Sequence, residues 1–242
     1  MVLSGKIALI TGANRGLGKA IAAKFASEGA LTVLVGRKEA ELAAVRDAII
    51  AAGGKADYRV ADVTDPKQVQ EMVDSVVKEH GTIDILVNNA GISKEIKLMD
   101  IPLETWYEII NVNLNSVAIV TKAVLPVMAE HKSGNIVNIS SAAALRGLPG
   151  SCAYAASKAG VLCLSQALGD EVRPLGIRVN AICPGPIDTE LFQKSERREF
   201  ILAAGGDVFT PETIANGALF LASDLSKGMS SQVLTMRGFN RW

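Results

Sequence analysis

The stretch that decides the fold is Lys6-Ile7-Ala8-Leu9-Ile10-Thr11-Gly12-Ala13-Asn14-Arg15-Gly16-Leu17-Gly18. It opens on an apolar run rich in branched residues, breaks at a glycine, and passes through two more glycines into a segment of helical period. That is strand, tight turn, helix. Glycines in such a turn let the backbone approach a ligand closely. The helix behind them presents free N–H groups and a positive dipole end to an anion. The spacing is G-x-x-x-G-x-G, neither the commoner dinucleotide fingerprint nor a P-loop. Taken alone, it also suits an ordinary strand-to-helix turn.

The same unit recurs along the chain. Strands are expected at residues 6–11, 32–35, 57–61, 83–87, 135–139, 177–182 and 233–236. Helices are expected at 17–27, 39–52, 66–80, 116–130, 154–173 and 212–223. Strands that are continuously apolar rather than alternating are covered on both faces. The β-α alternation therefore predicts an α/β fold, a doubly wound parallel sheet of about seven strands with helices on both faces. No linker or charge block interrupts residues 1–242, so a single domain is expected.

Composition removes several function classes. Of 242 residues, 49% are hydrophobic and 21% charged, which excludes disorder as the main state. Lys plus Arg and Asp plus Glu are 25 each, so a nucleic-acid partner, which needs a basic face, is not expected. The longest charge-free runs are about 13 residues, short of the ~20 of a membrane span. No charged region precedes an apolar stretch at the N-terminus, so no signal peptide is expected. Three cysteines without C-x-x-C spacing point to a reducing, cytoplasmic setting and no metal site.

Two further features carry chemistry. In a dinucleotide fold, the residue about 20 positions beyond the glycine turn reads the adenosine ribose, and an acid there repels a 2′-phosphate. Here Val35-Gly36-Arg37-Lys38 offers two cations and no acid. Arg15 reaches the same place, so NADP(H) is expected over NAD(H). Tyr154 and Lys158 stand four apart at the start of a helix, on one face. An ammonium beside a phenol lowers its pKa, which makes tyrosine a proton-transfer group near neutral pH. Y-x-x-x-K alone also describes an exposed helix pair.

Together these residues resemble the short-chain dehydrogenase/reductases, and within them the enzymes that reduce 3-oxoacyl groups on acyl carrier protein and the carbonyl reductases. The family's fold is a single-domain Rossmann-type sheet. Gly12, Asn14, Arg15, Gly16, Leu17 and Gly18 look like its cofactor loop, and Asn88-Asn89-Ala90-Gly91 like its N-N-A-G signature. Asp62 and Val63 resemble its adenine-contacting pair. Pro184, Gly185, Ile187 and Thr189 resemble its nicotinamide turn. The resemblance makes Asn113, Ser141, Tyr154 and Lys158 the catalytic set. Asn113, flanked by Asn111 and Asn115, would hold a water that relays protons to Lys158. It places Ser141, Leu148, Tyr154, Leu191 and Phe192, with Phe200 nearby, at the substrate, an apolar ketone or 3-oxoacyl group.

The implied activity is NADPH-dependent ketone reduction to a secondary alcohol on a small carbonyl substrate or an acyl thioester, with a general carbonyl reductase narrowly preferred. Two alternatives are an NAD(P)-dependent secondary-alcohol or polyol dehydrogenase and a non-enzymatic dinucleotide sensor. Apolar residues around most of the 116–130 helix imply a homodimer or homotetramer. Ser230-Ser231-Gln232 and Met236-Arg237-Gly238 replace glycine-bearing segments of the family, and the chain finishes Phe239-Asn240-Arg241-Trp242.

Overall fold

The computed structural model describes residues 1–195, 198–203 and 205–238, the side chain of residue 200 excepted. The C-terminal residues 239–242 lie outside this range. In chain order the elements are β1 (Ile7–Thr11), α1 (Gly16–Ser27), β2 (Leu31–Gly36), α2 (Glu39–Ala51), β3 (Lys55–Val60), α3 (Pro66–His80), β4 (Ile85–Asn88) and α4 (Leu103–Ile110). They continue as α5 (Ser116–Glu130), β5 (Gly134–Ile139), α6 (Cys152–Glu171), β6 (Ile177–Pro184), α7 (Glu190–Gln193), α8 (Arg198–Ala203), α9 (Pro211–Ala222) and β7 (Val233–Met236).

The seven strands form one parallel sheet in the order β3-β2-β1-β4-β5-β6-β7. The pleat sends alternate residues to opposite faces. Ala8, Ile10 and Leu34 meet Ile21 and Phe25 of α1, Leu42 and Val45 of α2, and Ile214 and Ala218 of α9. Leu9, Val33, Leu86 and Ile136 meet Val69 and Val73 of α3 and Val120, Val124 and Met128 of α5. Both faces are covered, as the uninterrupted apolar strands require. The order reverses between β1 and β4, which opens a crevice at the carboxyl ends of these strands, the usual ligand position in such sheets.

Local signals set the helix starts. Asp65 accepts from the Lys67 and Gln68 amides and Pro66 follows it, so α3 begins there. At 103–115 the structure departs from expectation. Residues 103–110 are helical, and 111–115 form a π-helical turn that runs without a break into α5. Three asparagines in five residues look like a loop, but the buried Ile109 and Asn113 hold the segment in helix. The joined helix Leu103–Glu130 is long and apolar enough to cross a membrane by length and composition, unlike any stretch expected from charge-free runs. Its inner face packs on the sheet through Val117, Val120, Val124 and Met128, as a core helix does.

At the far edge, Ser231 adopts φ 62°, in the left-handed region. Its N–H donates to the Val179 carbonyl at 2.7 Å and its hydroxyl to Asp170 at 2.9 Å. Tertiary bonds thus hold a conformation that serine disfavours.

Candidate active site

The glycine loop is locked onto β4. Thr11 Oγ1 accepts from the Asn89 and Ala90 amides at 3.0 and 3.1 Å, and Asn89 Nδ2 donates to the Thr11 and Gly12 carbonyls at 2.9 and 3.2 Å. This explains two glycines. A Cβ on Gly12 would lie 2.9 Å from Ala90 Cα, and one on Gly18 would lie 2.3 Å from the Gly12 carbonyl oxygen. Helix α1 then starts with no side-chain cap and no acid in its first turn, so its leading N–H groups stay available to an anion. Across the crevice, Thr189 approaches to 3.5 Å of the Cβ position at Gly16. The glycine loop and the 184–189 turn therefore face each other, with Gly185 N–H tied to the Met236 carbonyl at 2.8 Å. Leu17 and Val63 are buried beneath the loop and beside β3. An ungated helix N-terminus, a backbone without Cβ atoms and the facing turn fit a dinucleotide.

The adenosine corner lies at the end of β2. Asp62 accepts from Thr64 N–H and Oγ1 at 2.9 and 2.7 Å; these bonds and Arg37, 3.7 Å away, hold its carboxyl below the usual range against the opposing effect of burial. The cations expected at a 2′-phosphate are all engaged with carboxylates. Arg37 pairs with Asp62, Lys38 with Glu41 at 2.7 Å, and Arg15 with Glu190. Arg15 thus points toward the nicotinamide side in this structure rather than toward Arg37.

The expected catalytic residues converge at the carboxyl ends of β4 and β5. The π turn aims Asn113 inward, and it is fully buried. Its amide donates to the Ile92 carbonyl at 2.9 Å and to Ser157 Oγ at 3.1 Å, while its oxygen accepts from Ile92 N–H at 2.8 Å. Asn115 instead bonds Asn111 on the surface. Such π bulges recur where a helix must present one side chain to a site. Ser141 leaves β5, caps the Ala143 N–H at 3.1 Å and lies beside the Tyr154 phenol, where it favours the phenolate. Its neighbour Ser140 is buried and donates to the Lys158 carbonyl at 2.8 Å. Lys158 is itself buried, its ammonium donating to the Ile139 carbonyl at 2.9 Å.

Electrostatics differ from the expectation that Lys158 lowers the phenol. Burial raises the Tyr154 pKa, and Ser141 only partly offsets it. The Lys158 ammonium sits 5.9 Å from the centre of the ring, without a hydrogen bond to the hydroxyl. Burial also pushes Lys158 down to about 8. Desolvation is the largest influence on both groups. Gly91 stands over them. A Cβ there would lie 3.3 Å from Asn113 Oδ1 and 3.4 Å from Lys158 Nζ.

The substrate side is less assembled. Leu148 is partly buried in the loop before α6, Leu191 is exposed on α7, Phe192 is partly buried, and the Phe200 side chain lies outside the described residues. A cavity of about 680 Å³ adjoins the site, lined by Leu145, Phe209, Thr235, Met236, Arg237 and Gly238. Neither Tyr154 nor Ser141 lines it. The sequence places the loop that starts at Leu145 beside the pocket but gives no sign of Phe209 or Thr235, which come from distant segments. Ser157, which holds Asn113, and Glu41 and Glu190, which hold the cations, were also missed. Among the described residues, one group of metal-ligand types converges, Asp57, Glu79 and His80. Arg59 already bridges both carboxylates there, at 2.6 and 2.5 Å.

Residues 6–199 match the model of the short chain dehydrogenase family. The chain belongs to the short-chain dehydrogenases. The 3-oxoacyl-[acyl-carrier-protein] reductase FabG of Thermotoga maritima is 43% identical, with 98% of each chain covered, and that of Escherichia coli is 38% identical over the same shares. A crystal structure of levodione reductase superposes with a TM-score of 0.92 at 32% identity, covering 98% of this chain and 97% of that one. A short-chain dehydrogenase/reductase from Mycobacterium marinum gives 0.91 at 35%, covering 98% and 95%. This short-chain dehydrogenase is therefore an oxidoreductase that works with a nicotinamide dinucleotide.

Proposed function

We propose that this short-chain dehydrogenase reduces a ketone to a secondary alcohol with NADPH, within one domain that holds both cofactor and substrate, in a cytoplasmic setting. The observation that carries the reading is the convergence of Ser141 and the buried Lys158 ammonium on the buried Tyr154 phenol. NADPH, when bound, supplies the hydride to the carbonyl carbon. Tyr154 gives its phenolic proton to the carbonyl oxygen. Ser141 donates to the same oxygen as negative charge develops, which stabilises the transition state more than the ground state. Lys158, at the inner end of the site, holds the nicotinamide ribose and returns a proton to the phenolate, with Asn113 fixing the backbone of Ile92 beside it.

The raised Tyr154 pKa suits this direction, because an acid must be protonated at working pH. Arg15, Arg37 and Lys38, with no acid at Gly36, support NADPH. The relatives favour a 3-oxoacyl thioester over a plain ketone, and the open cavity past Leu145 and Phe209, of mixed polar and apolar lining, offers room for an acyl chain. The test is a panel of 3-oxoacyl thioesters, cyclic ketones and secondary alcohols with each nicotinamide nucleotide, followed at the nicotinamide absorbance. NADPH oxidation with a thioester as the best substrate is the expected result; turnover confined to alcohols with NAD contradicts it. The outward faces of α5 and α6 pack against a second copy in a homodimer or homotetramer, which sedimentation as a stable monomer at micromolar concentration would overturn.

A further inference from the structure

One carboxylate ties the adenosine corner together. Asn14, in the glycine loop, lies against Gly36 at the end of β2, its Oδ1 being 3.3 Å from the Cβ position there. The Asn14 amide donates to Glu41 Oε2 at 2.5 Å, and Lys38 Nζ donates to Glu41 Oε1 at 2.7 Å. The same charge acts on Arg15. A lone i,i+3 pair such as Lys38–Glu41 is worth little on a helix surface. The bond to Asn14 is different, since it joins α2 to the loop that meets the cofactor.

We propose that Glu41 is a specificity-determining residue at the adenosine ribose, weakening the pocket's grip on a 2′-phosphate and so admitting NADH more readily than the three cations alone would allow. This inference rests on the reading that Arg15, Arg37 and Lys38 receive that phosphate. A phosphate monoester of charge near −2 must draw Lys38 away from Glu41 and then stands close to an ionised carboxylate. The lysine bonded to Glu41 and the asparagine beside it hold that carboxylate in its ionised form. A ribose hydroxyl meets no such repulsion and can donate to the carboxylate instead.

The experiment measures dissociation constants of the full chain by calorimetry for two ligand pairs, NADPH against NADH and adenosine 2′,5′-bisphosphate against adenosine 5′-monophosphate. The proteins are wild type, Glu41→Gln, Glu41→Ala and Arg37→Ala. Both Glu41 variants should bind NADPH and the bisphosphate about five- to twentyfold more tightly at low salt, with NADH and the monophosphate unchanged or weaker. Equal shifts in both members of each pair, or weaker NADPH binding, overturn the role of Glu41. If Arg37→Ala also leaves every constant unchanged, the phosphate reading falls with it. If the Glu41 variants fail in this way while Arg37→Ala weakens only the 2′-phosphorylated ligands, that reading stands and Glu41 alone is refuted.

Discussion

The Arg15 guanidinium is ion-paired with the Glu190 carboxylate, 175 positions away in sequence. The pair crosses the mouth of the crevice, from the glycine loop to the first residue of α7. Glu190 is held as a carboxylate by its bond to Lys194 and then by the charge of Arg15. Both side chains are about half exposed, so the bridge adds little to stability. Its consequence is for the cofactor, because Arg15 can serve either Glu190 or a phosphate.

Arg15→Ala should therefore weaken NADPH binding about tenfold, the effect of losing one charged contact, while NADH changes much less. Glu190→Gln frees the guanidinium and should tighten NADPH modestly. In both variants the melting temperature should stay within about 2 °C of wild type. Titration calorimetry and a thermal melt check both halves.

Lys158 gives a pH signature. Its pKa is about 8 in the folded protein against 10.5 as the ordinary value. The unfolded chain thus binds more protons between these values, so stability rises with pH from about 8 to 10.5. The buried Tyr154 phenol and Cys183 thiol are both raised and act in the opposite sense above about pH 9, which leaves a window below that point. Urea unfolding of the cofactor-free protein should show a gain of about 1 kcal/mol between pH 7.5 and 8.8. Lys158→Met should abolish that gain, lose activity, and be more stable than wild type at pH 7, since it removes a buried charge. A Lys158→Met protein with the wild-type pH dependence would disprove this.

Ser231→Gly should stabilise. Removing the Cβ relieves about 1 kcal/mol of left-handed strain, against about 0.5 kcal/mol for the freer unfolded chain and an exposed hydrogen bond to Asp170. The expected rise in melting temperature is about 1–2 °C. A fall of more than 2 °C would mean that the serine hydroxyl matters more than its backbone.

Residues 6–18 and the apolar runs made the sheet and its two helical layers legible, because buried parallel strands leave an unmistakable pattern. The helix over 103–115 was not legible. Asn111, Asn113 and Asn115 are poor helix formers, and only the tertiary bonds of Asn113 to Ile92 and Ser157 explain why the turn persists. The positions of the site residues follow motif spacing, but their charge state does not. Whether Lys158 lowers Tyr154 depends on burial and on 5.9 Å of separation, neither of which a spacing of four residues specifies. The partners of Arg15, Arg37 and Lys38 are likewise long-range or side-chain choices that composition leaves open.

The central claim is that Tyr154 delivers the proton. Tyr154→Phe removes one hydroxyl and keeps the ring, so packing and cofactor affinity should survive. The deciding measurement is steady-state NADPH oxidation by Tyr154→Phe with a saturating 3-oxoacyl thioester, paired with its NADPH dissociation constant. The account predicts a fall in turnover of about 10³ or more, beyond the 10²–10³ expected for losing Ser141 as one oxyanion donor, with the dissociation constant within about threefold of wild type. Turnover above a few per cent of wild type, with NADPH bound normally, would contradict it.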